Sequence, residues 1–347
     1  MENYKKSSRK KKTDLLFDIL NELPTFYRDY ILGVPEEIMA TSTRLEYARN
    51  VREFFEYLEK VNPYFKEKGK KNITISDLSK ITKTDANEYA AHLSSYTFQR
   101  KLNGEEEHYS PKTVSRKLSA VSSMYKELMR LDKIKENPFT VIRRPKDKEH
   151  VIIHLTDAER KKLLDIAYQG TGLSEQALKF HDGLRDRAVL ALLLDTGMRV
   201  SELVGLDMSD LDLEECSAII LRKGGKTEEV FFSDSTKEIL EEYIEYRNGT
   251  LKAYSTPALF ISRRYERLGV RGIEYMVKKY AKIAVPIKAD KISPHKLRST
   301  FAMAFYEREP DLLLLKEIMG HSNIATTTIY ANATKKRQRE MRNILDE

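Results

Sequence analysis

From Thr43 to Lys60 the apolar residues Leu45, Ala48, Val51, Phe55 and Leu58 recur at steps of three and four. That spacing predicts a helix with one buried face, and Thr41, Ser42 or Thr43 is placed to cap it. In the stretch ITKTDANEYAAHLSS the apolar set is Ala86, Tyr89, Ala90 and Leu93, which predicts a second helix opened by Thr84 or Asp85. Between Lys112 and Leu131 the residues Val114, Leu118, Val121, Tyr125 and Leu128 form a third stripe. The Asp14–Leu32 stretch adds a further helix. The first half of the chain therefore reads as an all-helical bundle, with its basic residues Lys112, Arg116 and Lys117 on other faces of the third helix.

The run NPFTVIRRPKDKEH sets Pro138 and Pro145 around dense charge and reads as an interdomain linker. A domain boundary at 145/146 follows, with the elements of the second domain starting near Val151. Thr156 caps a helix to Tyr168. LRDRAVLALLLDTGMRVSELVGL reads as a buried helix, a Thr-Gly break and a short second helix. SAIILRKGGKTEEVFF changes to β-rich runs about Gly224-Gly225, a hairpin signal, and ALFIS is a candidate third strand. Helices return to 335, and residues 336–347 close in a charged amphipathic tail. The fold class is mainly α with a small β-sheet.

Charge changes this picture in one respect. The net charge is +8 and the isoelectric point about 9.1, and the excess is concentrated: residues 1–150 carry 30 Lys and Arg against 23 Asp and Glu, residues 151–347 carry 31 against 30. A basic first half suits a polyanion such as nucleic acid, although a basic surface also serves solubility. The single cysteine, Cys216, excludes an internal disulfide and a Cys-based zinc site and fits a reducing cytoplasm. Apolar runs such as Ala188–Leu194 fall far short of the roughly 20 residues a membrane span requires. The opening MENYKKSSRKKKTD is basic without the apolar core of a secretory signal. It reads as an address or as an arm brushing phosphates.

Four dispersed stretches hold the polar groups suited to chemistry: TGMRVSEL, RKGGK, SPHKLRST and MGHSNIATTTIY. Each has a plain structural reading. Arg199 has Glu202 one turn away to neutralise it; His295 and Arg298 would be solvated charges after Pro294; His321 would cover the end of a helix that Gly320 terminates. Tyr330 is one of 19 tyrosines, ordinarily a packing residue. Together they meet the needs of one reaction. A phosphodiester attacked by an oxygen nucleophile gathers negative charge on its non-bridging oxygens, which fixed cations such as Arg199, Arg298 and His321 stabilise. A phenol with a pKa near ~10 needs a base, for which His295 serves, and the leaving alkoxide needs an acid, for which a hairpin lysine serves.

On these residues the sequence resembles the tyrosine recombinases of the phage integrase family. Their pattern of Arg, Lys, His-x-x-Arg, Gly-His and Tyr is met in order by Arg199, Lys223, His295 with Arg298, His321 and Tyr330, with Lys226 the alternative lysine across the Gly-Gly turn. Within the family the wording is similar to Xer recombinases, in particular the single-recombinase type of Gram-positive bacteria; Ser299 departs where many relatives carry histidine.

The resemblance implies a helical core-binding domain (1–145), an α+β catalytic domain (146–335) and a C-terminal helix (336–347) for contacts between protomers. It implies a 3′-phosphotyrosine intermediate on Tyr330 and a Holliday junction, with no metal and no cofactor. It also implies a homotetramer on two double-stranded DNA sites, chromosome dimer resolution at a dif-like site, a possible DNA translocase as activator, and a bacterial cytoplasmic, nucleoid-associated location. The expected DNA contacts are Lys112, Thr113, Arg116, Lys117, Arg143 and Arg144, mostly to phosphate.

Four rivals differ, the least of them a type IB topoisomerase-like enzyme that relaxes DNA without exchanging strands between two sites. An integrase of a mobile element would share the chemistry. A non-catalytic DNA-binding protein would account for the charge but not for the ordered site residues. A two-metal nuclease would use Asp207, Asp210 and Asp212, which otherwise read as an acidic turn before a strand.

Overall fold

The computed structural model describes residues 2–99, 106–143, 152–222, 225–249, 256–320 and 323–333. The chain divides into two compact units, Glu2–His150 and Val151–Glu347.

In the first unit the helices are α1 (Glu2–Asn21), α2 (Thr25–Gly33), α3 (Thr41–Val61), α4 (Pro63–Lys68), α5 (Ile75–Leu78), α6 (Lys83–Ser95) and α7 (Pro111–Arg130). The two long amphipathic helices α3 and α7 pack on each other and carry the core. The predicted stripes are the buried ones: Leu45, Ala48, Val51, Phe55 and Leu58 on α3, and Val114, Leu118, Val121, Tyr125 and Leu128 on α7. Each large apolar side chain so buried contributes about 1.5–3 kcal/mol.

Several expectations need correction here. A turn at Glu22–Pro24 breaks the expected Asp14–Leu32 helix into α1 and α2. Helix α3 starts earlier than expected, with Ala40 at its N-cap and no side-chain cap bond. Thr82, not Thr84 or Asp85, caps α6, and Asp85 completes the capping box from the third position. The unit is not wholly helical, because Thr97–Gln99 (β1) pairs antiparallel with Glu106–His108 (β2). The expected linker begins late: Pro138–Val141 is a 3-10 turn, and Phe139 is buried against Phe54 and Tyr125 at ring distances of 5.5 and 5.4 Å.

The second unit contains α8 (Asp157–Gln169), α9 (Glu175–Leu178), α10 (Gly183–Thr196), α11 (Val200–Gly205), α12 (Asp234–Asn248), α13 (Val270–Ala284), α14 (Pro294–Arg308), α15 (Leu312–Met319) and α16 (Ala325–Ala333). Helix α10 lies at its centre, with every residue from Ala188 to Leu194 buried and α8, α12 and α14 packed around it. As expected, Thr156 caps α8 in a capping box with Glu159.

Gly197 ends α10 in the left-handed region (φ 60°). A Cβ there would also stand 2.3 Å from the Phe301 ring, so both backbone and packing call for glycine. A three-stranded antiparallel sheet, β3 (Leu211–Asp212), β4 (Ser217–Leu221) and β5 (Thr227–Phe231), follows in the order β3-β4-β5. The hairpin β4–β5 is registered Ser217 to Phe231 and Leu221 to Thr227. The third strand is therefore Leu211–Asp212 and not ALFIS, where Ala258 and Ile261 make only isolated bridges.

Among the described residues no helix is long and apolar enough to cross a membrane. The tail, 336–347, lies outside the described residues.

Candidate functional site

The site forms around the C-terminal end of α15. Asp311 opens that helix by accepting from the backbone N–H groups of Leu313 and Leu314 at 2.8 and 3.0 Å. Gly320 closes it at φ 57°, the expected glycine stop. A helix end presents carbonyls without internal partners, and they attract cations. Here three consecutive carbonyls each receive a guanidinium from a different part of the chain. Arg222 donates to Ile318 O at 2.7 Å, Arg298 to Met319 O, and Arg199 to Gly320 O at 3.3 Å.

Their surroundings differ. Arg199 is the N-cap of α11, and Glu202 in the first turn accepts both its backbone N–H at 2.7 Å and its guanidinium at 2.8 Å. The Arg199 side chain stays 37% exposed while Glu202 is buried; it is paired, as the structural reading held, and open to a ligand as well. Arg298 projects inward from the second turn of α14. It donates to Gly197 O at 2.6 Å, and among the described residues its hydrogen-bond partners are the two carbonyls of Gly197 and Met319. Burial is the main force drawing its pKa down, to about 10, followed by repulsion from Arg199. It therefore remains a cation at neutral pH.

Tyr330, on α16, is 4% exposed and packs with Ala302, Met303, Tyr306, Leu315 and Met319. Burial raises its phenol pKa; a hydrogen bond with Ser299 and the charge of Arg298 act the other way. The residue is thus held in apolar packing, while its hydroxyl is hydrogen-bonded with Ser299 and lies under the influence of the buried guanidinium.

His295 shares α14 with Arg298, three residues away, but at a different depth: it is exposed at the first turn, where Arg298 is buried. Lys223 and His321 lie outside the described residues. Lys226 is exposed, and its carbonyl accepts from the Arg222 N–H at 2.8 Å to close the hairpin turn.

Sequence reasoning overlooked Arg222. A signal was present: in the β4–β5 register Arg222 faces Lys226, which puts Glu228 diagonally across on the same face. It likewise credited Glu202 with neutralising Arg199 alone, whereas Glu202 also accepts from Arg222 at 3.2 Å.

On the first unit, Lys112, Arg116 and Arg143 are exposed and Thr113 is half-buried. Lys117 is corrected: α7 turns it inward, where it pairs with Glu53 and lies over the Tyr109 ring at 4.4 Å. Arg144 is outside the described residues. The acidic trio of the second unit serves local structure. Asp210 accepts from the Asp207 N–H at 2.8 Å, Asp207 pairs with Arg267, and Asp212 accepts from the N–H groups of Glu214 and Glu215, both at 3.0 Å.

Residues 154–337 match the sequence profile of the phage integrase family. The tyrosine recombinase XerC of Pediococcus pentosaceus is 30% identical over 295 residues, covering 84% of this chain and 90% of the relative. XerC of Bacillus subtilis is 34% identical over 233 residues, 66% of this chain and 73% of the relative. Among solved structures, the XerH site-specific recombinase bound to palindromic difH substrate is similar at TM-score 0.65 and 19% identity, over 89% of this chain and 80% of that one. The Tn1549 transposon integrase in complex with transposon right end DNA gives 0.64 at 22% identity, over 93% and 99%. At these identities the two structures speak to the fold.

Proposed function

This chain belongs to the phage integrase family and is a site-specific tyrosine recombinase of the kind its XerC relatives represent; from that premise we propose that it breaks and rejoins duplex DNA through a covalent bond from Tyr330 to a 3′-phosphate. One observation carries the reading: a buried guanidinium, Arg298, has two carbonyls as its described partners and lies beside the phenol of Tyr330. The nearby carboxylate of Glu202 acts on Arg298 but is already shared by Arg199 and Arg222; buried cations in excess of their anions are costly, and a phosphodiester oxygen supplies further negative charge.

In the proposed reaction Tyr330 Oη attacks phosphorus, His295 accepts the phenol proton, and the P–O5′ bond breaks. The departing O5′ takes a proton from Lys223, with Lys226 as the alternative. Arg199, Arg298 and His321 stabilise the charge gathered on the non-bridging oxygens. The phosphoester energy is kept in the phosphotyrosine bond, so the O5′ of a partner duplex reverses the step and exchanges strands. Neither ATP nor a metal is needed for this sequence of steps.

The biological reading is Xer-type resolution of chromosome dimers at a dif-like site by a homotetramer in the bacterial cytoplasm, with a DNA translocase as activator. Lys112, Thr113, Arg116, Arg143 and Arg144 are proposed to meet DNA phosphates, on a helical unit that serves as the core-binding domain.

The test is recombination between two copies of a site carried on one plasmid, the site being recovered by covalent capture from a library of randomised inverted repeats. Excision of the intervening segment in EDTA without ATP is expected. Plasmid relaxation without exchange would show a topoisomerase-like activity instead.

A further inference from the structure

Arg222 is buried, and the reaction above gives it no part. It sits where β4 runs into the turn, one residue before Lys223, and joins three elements. Within its own hairpin, Nε and one terminal nitrogen donate to the Glu228 carboxylate at 3.0 and 2.6 Å, a bidentate fork. Toward α11, the other terminal nitrogen donates to Glu202 at 3.2 Å, on the carboxylate that also holds Arg199. Toward α15, the terminal nitrogen that bonds Glu228 also donates to Ile318 O at 2.7 Å.

Gly320 lies against the same group: a Cβ at that position would stand 2.9 Å from Arg222 Nε and 3.0 Å from its central carbon. One side chain thus sets the base of the lysine hairpin against the partner of Arg199 and the residues just before His321. A lysine ammonium is a point donor without the planar fork that serves all three at once.

We propose that Arg222 is a positioning residue for leaving-group protonation. It holds the base of the hairpin so that Lys223, or Lys226 across the turn, reaches the O5′ oxygen as the P–O5′ bond breaks. This rests on the recombinase reading above. Arg222 itself touches neither phosphate nor Tyr330 in this scheme; it acts through the lysine.

The experiment compares two nicked duplexes of the captured site, one with the ordinary scissile phosphate and one with sulfur in place of the bridging O5′. A thiolate leaves without needing a proton, so a defect in delivering the acid disappears on the sulfur substrate. Arg222→Lys is expected to slow formation of the protein–DNA adduct about 100-fold on the oxygen substrate, the scale of a small misplacement of a reacting group. The rate on the sulfur substrate is expected to stay near wild type, the pattern also expected of Lys223→Ala run alongside.

Glu228→Gln, on the hairpin's partly exposed edge, loosens the same fork without emptying the buried position. It is expected to show a smaller loss with the same selective recovery, and it carries the test if Arg222→Lys does not fold. Equal losses on both substrates, or no loss on either, overturn the positioning role. Wild-type protein that forms no adduct on either duplex fails the recombinase reading itself, a result separate from failure of the inference.

Discussion

The guanidinium of Arg298 donates to the carbonyl of Gly197 at 2.6 Å, so a cation from α14 is seated on the turn that ends α10. Its other terminal nitrogen donates to Met319 O at the end of α15. The distant α10 and the consecutive helices α14 and α15 are thereby fixed around one positive charge, and the charge is fixed in return.

Replacing that fork by a single ammonium tests the arrangement. Arg298→Lys keeps a cation but cannot serve both carbonyls and a phosphate. Removal of one preorganised donor typically costs about 100- to 1000-fold in rate, and a loss of that size is expected in single-turnover adduct formation by Arg298→Lys, with DNA affinity in a gel-shift assay little changed.

Gly197→Ala should destabilise the second unit. The left-handed backbone and the 2.3 Å approach to Phe301 together predict a loss of about 2–4 kcal/mol from strain and overpacking, read as a shift in the urea midpoint. Gly269→Ala is the comparison, since nothing lies within 4 Å of a Cβ there and its φ is an ordinary −91°; its midpoint should reflect only the loss of ~1 kcal/mol or less that alanine costs at the N-cap of α13.

Much of this was legible in the sequence because it follows from periodicity and local backbone rules. The stripes of α3 and α7, the Thr156 cap, the stop at Gly320 and the hairpin about Gly224-Gly225 depend on near neighbours. The inward turn of Lys117 does not. Its neighbours Val114, Leu118 and Val121 mark the buried face, but only the placement of Glu53 on another helix makes a buried ammonium tolerable. The depth difference between His295 and Arg298 was hidden for a like reason: three-residue spacing gives direction, whereas depth depends on α10 and α15 covering the second turn of α14. Arg222 was passed over because only Glu228, across its own hairpin, is a local partner; Glu202 of α11 and the Ile318 carbonyl of α15 come from elements that no local pattern brings to it.

Ser299 and Tyr330 give a pH-dependent test. Burial holds the Tyr330 phenol above its ordinary pKa, so the phenolate is scarce at neutral pH and the cleavage rate should rise as pH rises. The Ser299 hydrogen bond lowers that pKa. Ser299→Ala therefore should move the rate–pH curve toward alkali and slow the reaction at neutral pH by about fivefold, the equivalent of one ordinary hydrogen bond of ~1 kcal/mol. A uniform loss at every pH would assign Ser299 to packing alone.

In the first unit, Asp77 is a buried carboxylate that accepts from Tyr64, Lys68 and Thr74. These bonds hold its pKa well below the usual carboxylate range against the opposing effect of burial. A carboxyl with a lowered folded-state pKa contributes stability above its unfolded value of ~3.9, and loses it as pH falls through the folded value. Asp77→Asn should cost about 1–3 kcal/mol at pH 7, with the difference from wild type shrinking as the pH is lowered below about 4. Urea unfolding at a series of pH values measures it.

The central claim is the covalent bond on Tyr330, and the most direct measurement is to find where the DNA is attached. Protein is mixed with a nicked duplex of the captured site, denatured, digested with protease and nuclease, and the peptide carrying the nucleotide is sequenced by mass spectrometry. The nucleotide is expected on Tyr330 through a 3′-phosphate, with no adduct from Tyr330→Phe. Attachment at any other residue, or cleaved DNA that leaves the denatured protein unmodified, would contradict the account.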